Sequence, residues 1–417
     1  MKVLVIGGGA REHAIAWKLS QSDKVKEIHI APGNAGTSSI ANNLPIRPTD
    51  IEALADAALA RGIDLTVVGP ETSLALGIVD LFQSRGIPVF GPTREATLIE
   101  SSKAFAKGLM KKYGIPCAQS ETFSSFEEAR DYVKSQPAPI VVKADGLAAG
   151  KGSIVAQSRE EALEALSEIM EERVFGSAGD RVVIEECLSG REASFLVFTD
   201  GRAVVPMVPA CDYKRIFDGD QGLNTGGMGG YSPPGFFNEE LTETVMRNIM
   251  EPAIRAMAEE GKQYKGVLYA GLMLTDEGPK ALEFNARFGD PENQVMMPRL
   301  KSDLVDIMLA VIDGTLDRVK VEWSDEASVG VVMASGGYPG SYKTGFPITG
   351  LDEIHEDILV FHAGTREEQG RICTDGGRVL TVVAMGETIA RARERVYLNL
   401  PLIHFEGCHY RKDIAAE

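Results

Sequence analysis

Cysteine is scarce in this chain: five among 417 residues (Cys117, Cys187, Cys211, Cys373, Cys408), scattered, odd in number and without a Cys-x-x-Cys pair. That argues against a disulfide framework or a zinc site and fits a reducing, cytoplasmic setting. No uninterrupted apolar run approaches the roughly 18–20 residues of a membrane span. The opening Met1–Ile6 is too short in apolar residues for a secretion signal and reads as a first strand. Positive charge is also short, 43 Lys and Arg against 60 Asp and Glu, for a net −17. Nucleic acid and anionic membrane are therefore poor partners. A screening length of about 8 Å still allows a local Lys/Arg cluster to hold a phosphorylated small molecule. Histidines number six, with no Ser-His-Asp or Cys-His arrangement among them, and there is no internal repeat or low-complexity tract.

What is present is ordinary in bulk and distinctive in places. A length of 417 residues suggests two to four structural units, and 44% hydrophobic with 25% charged residues is typical of a soluble globular protein. The most informative stretch is Ala281–Asp290. Read with a period of two, Leu282, Phe284, Ala286 and Phe288 fall on one face, and Glu283, Asn285 and Arg287 on the other. Neighbours at i and i+2 sit about 6–7 Å apart. A carboxylate and a carboxamide at that spacing can each give an oxygen to one Mg²⁺, which is usually completed by substrate phosphates. Arg287, one step on, could bind a phosphate or carboxylate bidentately. The plain alternative is an edge strand with a solvated polar face.

The chain opens as strand, glycine turn and helix: Lys2–Ile6, Gly7-Gly8-Gly9, then Ala10-Arg11-Glu12-His13. Free N–H groups after a glycine turn form an anion site. A dinucleotide fingerprint would need glycine at position 12, where Glu stands. A second strand, Glu27–Ile30, leads into the small-residue loop Ala31–Thr37, and Asp64–Val68 leads into Gly69-Pro70-Glu71. A Thr49–Glu52 capping box opens a helix to about Arg61. Alternating strands and helices imply a parallel sheet with its ligand across the strand ends. Together the three loops suggest one anionic ligand, although each alone is more simply a turn. Ser101-Ser102-Lys103 begins a helix to about Tyr113.

Gly146, Gly150 and Gly152, with Lys143 and Lys151, suggest a phosphate cradle between two strands. It is not a Walker P-loop, since Gly152 follows the Lys and a strand comes next. A glycine flap can still close backbone N–H groups over phosphates; the alternative is a solvated hairpin tip. The strand Val182–Leu188 ends in an acidic linker where Glu192 could meet ribose hydroxyls. Asp212-Tyr213-Lys214-Arg215 and the glycine-rich run from Asp218 to Ser232 are either a floppy loop or an active-site loop. From about Asp325 onward, Val- and Gly-rich strands carry no sign of chemistry.

In this order the segments resemble the ATP-grasp ligases, and most closely the phosphoribosylamine–glycine ligase family. The likeness runs from Gly7–Ala14 to Tyr410-Arg411-Lys412-Asp413-Ile414, with Asn224–Gly229 and Glu283–Glu292 its most specific parts. The resemblance implies an α/β multidomain fold: an N-terminal Rossmann-like parallel sheet (1–100), central ATP-grasp α+β lobes (101–324) with a mobile lid at about 118–190, and a small β-rich C-terminal domain (325–417). It implies ATP-dependent joining of glycine to 5-phosphoribosylamine, as a cytoplasmic monomer. ATP would be held by Lys103, Lys143, Gly146, Gly150, Lys151, Gly152, Glu192 and a hinge comprising Glu185, Glu186 and Leu188. Glu283 and Asn285 would hold Mg²⁺ or Mn²⁺. Arg287, Lys143, Lys151 and Asp212 would serve the chemistry. Substrate contacts would come from Gly9, Arg11, Asn34, Gly36, Thr37, Glu71, Asp212, Lys214, Arg215, Asn224, Thr225, Gly226, Gly227, Arg287, Gly289 and Asp290. Two rivals are another ATP-grasp ligase or carboxylase acting on a ribonucleotide, and a nicotinamide-dependent dehydrogenase, which Glu12 disfavours.

Overall fold

The leading apolar run becomes the strand Lys2–Gly7, the centre of a five-stranded parallel sheet in a computed structural model that describes residues 1–148 and 152–416. Its neighbours are Glu27–Pro32 and Leu65–Val68, with Asn42–Asn43 and Val89–Phe90 outside them. Both faces are covered, which is why the run is continuously apolar rather than alternating. Val3 and Val5 pack with Ala14, Ile15 and Leu19 of the first helix, Ala10–Ser20. Leu4 and Ile6 pack on the other side with Leu54, Ala58 and Phe82. Helix Ile51–Arg61 is capped by Asp50, whose side chain accepts from the Ala53 N–H, rather than by Thr49.

A second sheet is antiparallel, in the order Val204–Pro206, Arg191–Thr199, Gly266–Thr275, Gly278–Asn285. A third antiparallel sheet, in the order Ser120–Phe123, Val182–Glu186, Ile140–Ala144, Ser153–Ala156, forms a separate lobe. Helices Phe126–Ser135 and Arg159–Met170 cover it, their N-termini capped by Ser125 and Ser158. This lobe has its own core, built from Ala129, Val133, Ile140, Val142, Leu166, Ile169 and Ile184.

The last sheet runs Cys211–Asp212, Gly229–Ser232, Ala327–Ala334, Arg378–Gly386, Leu359–His362, with helix Ile389–Asn399 packed against its centre. The end of the glycine-rich run, Gly229–Ser232, is thus a strand, paired with Cys211–Asp212 on one side and with Ser328–Val331, a hundred positions later, on the other. Backbone crowding explains two of its glycines. A Cβ on Gly230 would stand 2.7 Å from the Cys211 carbonyl oxygen, and one on Gly229 2.6 Å from that of Gly330. Among the described residues, no helix is long and apolar enough to cross a membrane.

Candidate active site

One large cavity, about 1650 Å³, opens where the parallel sheet, the central sheet, the separate lobe and the glycine-rich run meet. The strand Gly278–Asn285 forms its floor. A bulge interrupts the pairing, with Gly271 opposite Glu283 but Leu272 opposite Ala281. Leu282 therefore departs from the simple alternation and lines the cavity beside Glu283, while Ala286 and Phe288 are buried behind and Phe284, though 2% exposed, also reaches the cavity wall. Glu283 and Asn285 both face the cavity, and among the described residues neither side chain has a hydrogen-bond partner. Burial works against the charge of Glu283, but Lys143, Lys214, Lys103 and Arg287 outweigh it and lower the carboxyl's pKa.

At one end of the cavity three lysines converge. Glu185, 2% exposed, places one carboxylate oxygen 3.1 Å from the Lys143 ammonium and 3.0 Å from that of Lys107. Its other oxygen is buried without a hydrogen-bond partner among the described residues. Lys103 donates to the Gly146 carbonyl at 3.2 Å, and its pKa is lowered by burial against the pull of Glu283. Asp145 fixes this corner by accepting from Ser102 and the Ala104 N–H at 3.0 Å each and from Arg181 at 2.6 Å. Gly152, Glu186, Leu188 and Glu192 also line this end. Gly150 and Lys151 lie outside the described residues.

The other end is built of paired charges. Arg287 meets Glu71 at 3.1 Å and Glu100 at 3.2 Å, while Glu100 also accepts from the Ala286 N–H at 2.7 Å. Burial raises the pKa of Glu100, and that of Glu71 is lowered because Arg287 and Arg11 outweigh its burial. Lys214 bridges Asp212 and Glu192, 3.2 Å from each. Glu292 accepts from Ser194 at 2.8 Å and Tyr269 at 2.9 Å, and burial raises its pKa, with Asp212 adding to the effect. Arg378 donates to Asp290 at 2.8 Å and to the Gly226 carbonyl at 2.6 Å. The late strands, which gave no sign of chemistry in the sequence, thus send an arginine into the cavity wall.

Arg11, Glu71, Asp212, Lys214, Arg215, Asn224, Thr225, Gly226, Arg287 and Asp290 are brought together here. Gly9, Asn34, Gly36, Thr37, Gly227 and Gly289 do not line the cavity. Asn34 is buried, donating to the Gly8 and His362 carbonyls at 2.9 and 2.8 Å, so its loop seals a contact with the late strands. Gly227 abuts Pro291 and Gly289 abuts Glu292. The Gly9 N–H is taken by the Glu12 carboxylate at 2.8 Å, and that side chain fills the space against Gly7 and Gly69. A dinucleotide phosphate has no free helix N-terminus to bind. Lys107, Glu100, Glu292 and Arg378 were missed; only Lys107, four residues after Lys103 on one helix face, carried a sequence signal.

Three family models match in succession: Phosphoribosylglycinamide synthetase, N domain, over residues 1–100; its ATP-grasp (A) domain over 101–293; and its C domain over 328–417. A phosphoribosylamine–glycine ligase of Halalkalibacterium halodurans is 50% identical over 417 residues, covering 100% of this chain and 97% of that one. The chain belongs to the phosphoribosylamine–glycine ligase family. Another member, from Escherichia coli O157:H7, is 51% identical over 99% of this chain and 98% of its own. The crystal structure of the Thermotoga maritima phosphoribosylamine–glycine ligase superposes with a TM-score of 0.87 at 36% identity, covering 99% of this chain and 100% of that one. The biotin carboxylase domain of a Hydrogenobacter thermophilus 2-oxoglutarate carboxylase, solved with MgADP, reaches a TM-score of 0.74 at 17% identity over 98% of this chain and 91% of its own, a likeness of fold. The chain is an ATP-grasp ligase, and enzymes of that class use ATP with a divalent metal. The donors present fit such an ion: a carboxylate (Glu283) and a carboxamide (Asn285) face the cavity from one strand beside Lys103 and Lys143. Two protein oxygens completed by phosphates are what Mg²⁺ accepts.

Proposed function

We propose that this chain joins glycine to 5-phosphoribosylamine through glycyl phosphate, giving glycinamide ribonucleotide, ADP and phosphate, the second step of purine synthesis. The observation that carries the reading is the Glu283–Asn285 pair, unpartnered among the described residues, facing Lys103, Lys143, Lys214 and Arg287 across one cavity. ATP would lie with its base against the 185–188 segment and its phosphates toward Lys103 and Lys143. Glu283 and Asn285 would hold Mg²⁺ or Mn²⁺, whose charge would offset that of the phosphates. A glycine carboxylate oxygen attacks the γ-phosphorus as the bond to ADP breaks. The amine of phosphoribosylamine then attacks the carbonyl carbon, phosphate leaves, and the nitrogen loses a proton. Phosphoryl transfer needs alignment and charge compensation rather than a protein nucleophile. Closure of the lobe that carries Ile140–Ala144 and Ser153–Ala156 would protect the acyl phosphate from water. The lobe's separate core supports such a movement as a unit.

The test is ADP formation with glycine and phosphoribosylamine withheld in turn. Omitting glycine should abolish ADP release; full release without it would overturn the reading. Within it, Asp212 and Arg287 would hold glycine's amine and carboxylate. Arg287 uses Nε toward Glu71, Nη2 toward Glu100 and Nη1 toward the Phe288 carbonyl, which leaves one N–H on each Nη for a carboxylate. Arg287→Ala should raise the Michaelis constant for glycine about tenfold or more and lower turnover. Steady-state kinetics leaving both unchanged would remove the assignment.

A further inference from the structure

The hairpin Arg215–Phe217/Gln221–Asn224 stands at the cavity rim, carrying Arg215, Asp220 and Asn224 into its wall. Little apolar contact holds it there. Among the described residues its local cluster is Ile216, Met228 and Ala334 with Tyr338, while Phe217 and Leu223 are 53% and 65% exposed. A hairpin with so small a core is marginal by itself. Its position must come from something else.

That something is the segment 409–415. Arg411 is 1% exposed, an unusual burial for a guanidinium. It donates to Asp220 at 2.8 Å and to the Arg215 carbonyl at 3.1 Å, one contact in the hairpin turn and one at the start of its first strand. It also lies 4.8 Å over the Tyr213 ring. Asp413 grips the same guanidinium at 2.7 and 2.6 Å and accepts from the Gly219 N–H at 2.8 Å. The Lys412 N–H donates to Asp218 at 2.8 Å, and the Ala415 N–H to the Tyr213 hydroxyl at 3.0 Å. The segment is anchored in turn: Tyr397 donates to the Arg411 carbonyl at 2.7 Å, and Arg393 to those of Lys412 and Ile414 at 2.7 and 2.9 Å. A planar, bidentate group bound on all edges transmits position in a way a flexible ammonium does not.

We propose that Arg411 is the positioning residue for the substrate loop, setting where residues 212–226 meet the two substrates other than ATP. The inference rests on the ligase reading given above. Arg411 does not line the cavity; it acts through Tyr213, Arg215 and Asp220.

The experiment compares Arg411→Met and Asp413→Asn with the unaltered enzyme. Asp413→Asn removes a charge at a partly exposed side chain outside the cavity, so it remains decisive if Arg411→Met does not fold. For each protein the Michaelis constants for glycine, phosphoribosylamine and ATP are measured, with calorimetric binding of a non-hydrolysable ATP analogue. Arg411→Met should raise the constants for glycine and phosphoribosylamine at least about tenfold, and Asp413→Asn about threefold. Affinity for the analogue should stay within about twofold, and Arg411→Lys should recover part of the loss. Unchanged constants in both variants, or an equal rise for ATP, would overturn the proposal. If the unaltered enzyme releases ADP without glycine, it is the ligase reading that fails instead.

Discussion

Glu283→Gln should lower turnover by roughly 10²–10³-fold while leaving ATP able to bind, because the exchange keeps the shape and removes only the charge. Glu283 is the carboxylate toward which Lys143, Lys214, Lys103 and Arg287 direct their charge. Two consequences of opposite sign follow. Without the carboxylate the phosphate end is more positive, so ATP stripped of metal by a chelator should bind as tightly as before or more tightly. With Mg²⁺ the variant lacks an anionic ligand, so the metal concentration for half-maximal turnover should rise. A residue that merely supported the fold would weaken both forms of binding together. Calorimetry of ATP with and without Mg²⁺, beside turnover against metal concentration, separates these cases. Turnover within tenfold of the unaltered enzyme would exclude Glu283 as a ligand.

The sequence showed such sites where local chemistry is dense and hid them where partners are distant. The first strand was legible because a strand covered on both faces must be apolar throughout. The helix start at Ser102 was legible because a hydroxyl there accepts an otherwise orphaned N–H. The face carrying Glu283 and Asn285 could be read from alternation, but the bulge at Leu282 could not, since a parity slip depends on the partner strand. Arg287 stood out alone, whereas Glu71, which it pairs with across 216 positions, seemed to belong to a separate loop. Arg378 sat in a featureless valine-rich strand, and only the sheet's arrangement carries it to Asp290. In the Asn34–Thr37 loop the Gly36 and Thr37 N–H groups donate to Asn34, whose amide in turn meets the His362 carbonyl, a partner 328 positions away that local composition cannot show.

That same contact gives the second large effect, a steep loss of stability in mild acid. His13 and His362 join the N-terminal sheet domain to the late strands, 7% and 6% exposed, with ring centres 5.7 Å apart. The His362 N–H donates to Nδ1 of His13 at 2.9 Å, so that nitrogen must stay unprotonated. Phe361 and Trp17 pack nearby, and His362 Nδ1 meets the Thr365 hydroxyl at 3.1 Å. Among the described residues no carboxylate shifts either ring's proton affinity upward to reward a charge. Burial, and for His13 also the neighbouring His362, lowers the two pKa values from 6.5 to about 3 and about 4. Below pH 6.5 the unfolded chain takes up protons that the folded one refuses. The stabilisation is therefore complete above that pH and is lost as pH falls toward 4, at up to about 1.4 kcal/mol per unit for each ring. Thermal midpoints should accordingly drop steeply between pH 6.5 and 4.5, above the range where the lowered carboxyls of Glu71, Glu283 and Asp290 protonate. His13→Asn keeps an acceptor for the His362 N–H and removes one titrating ring, so its midpoint should fall markedly less over that interval. His29, buried and also lowered, contributes equally to both proteins and cancels in the difference. A variant as acid-sensitive as its parent would show that the pair does not govern the loss.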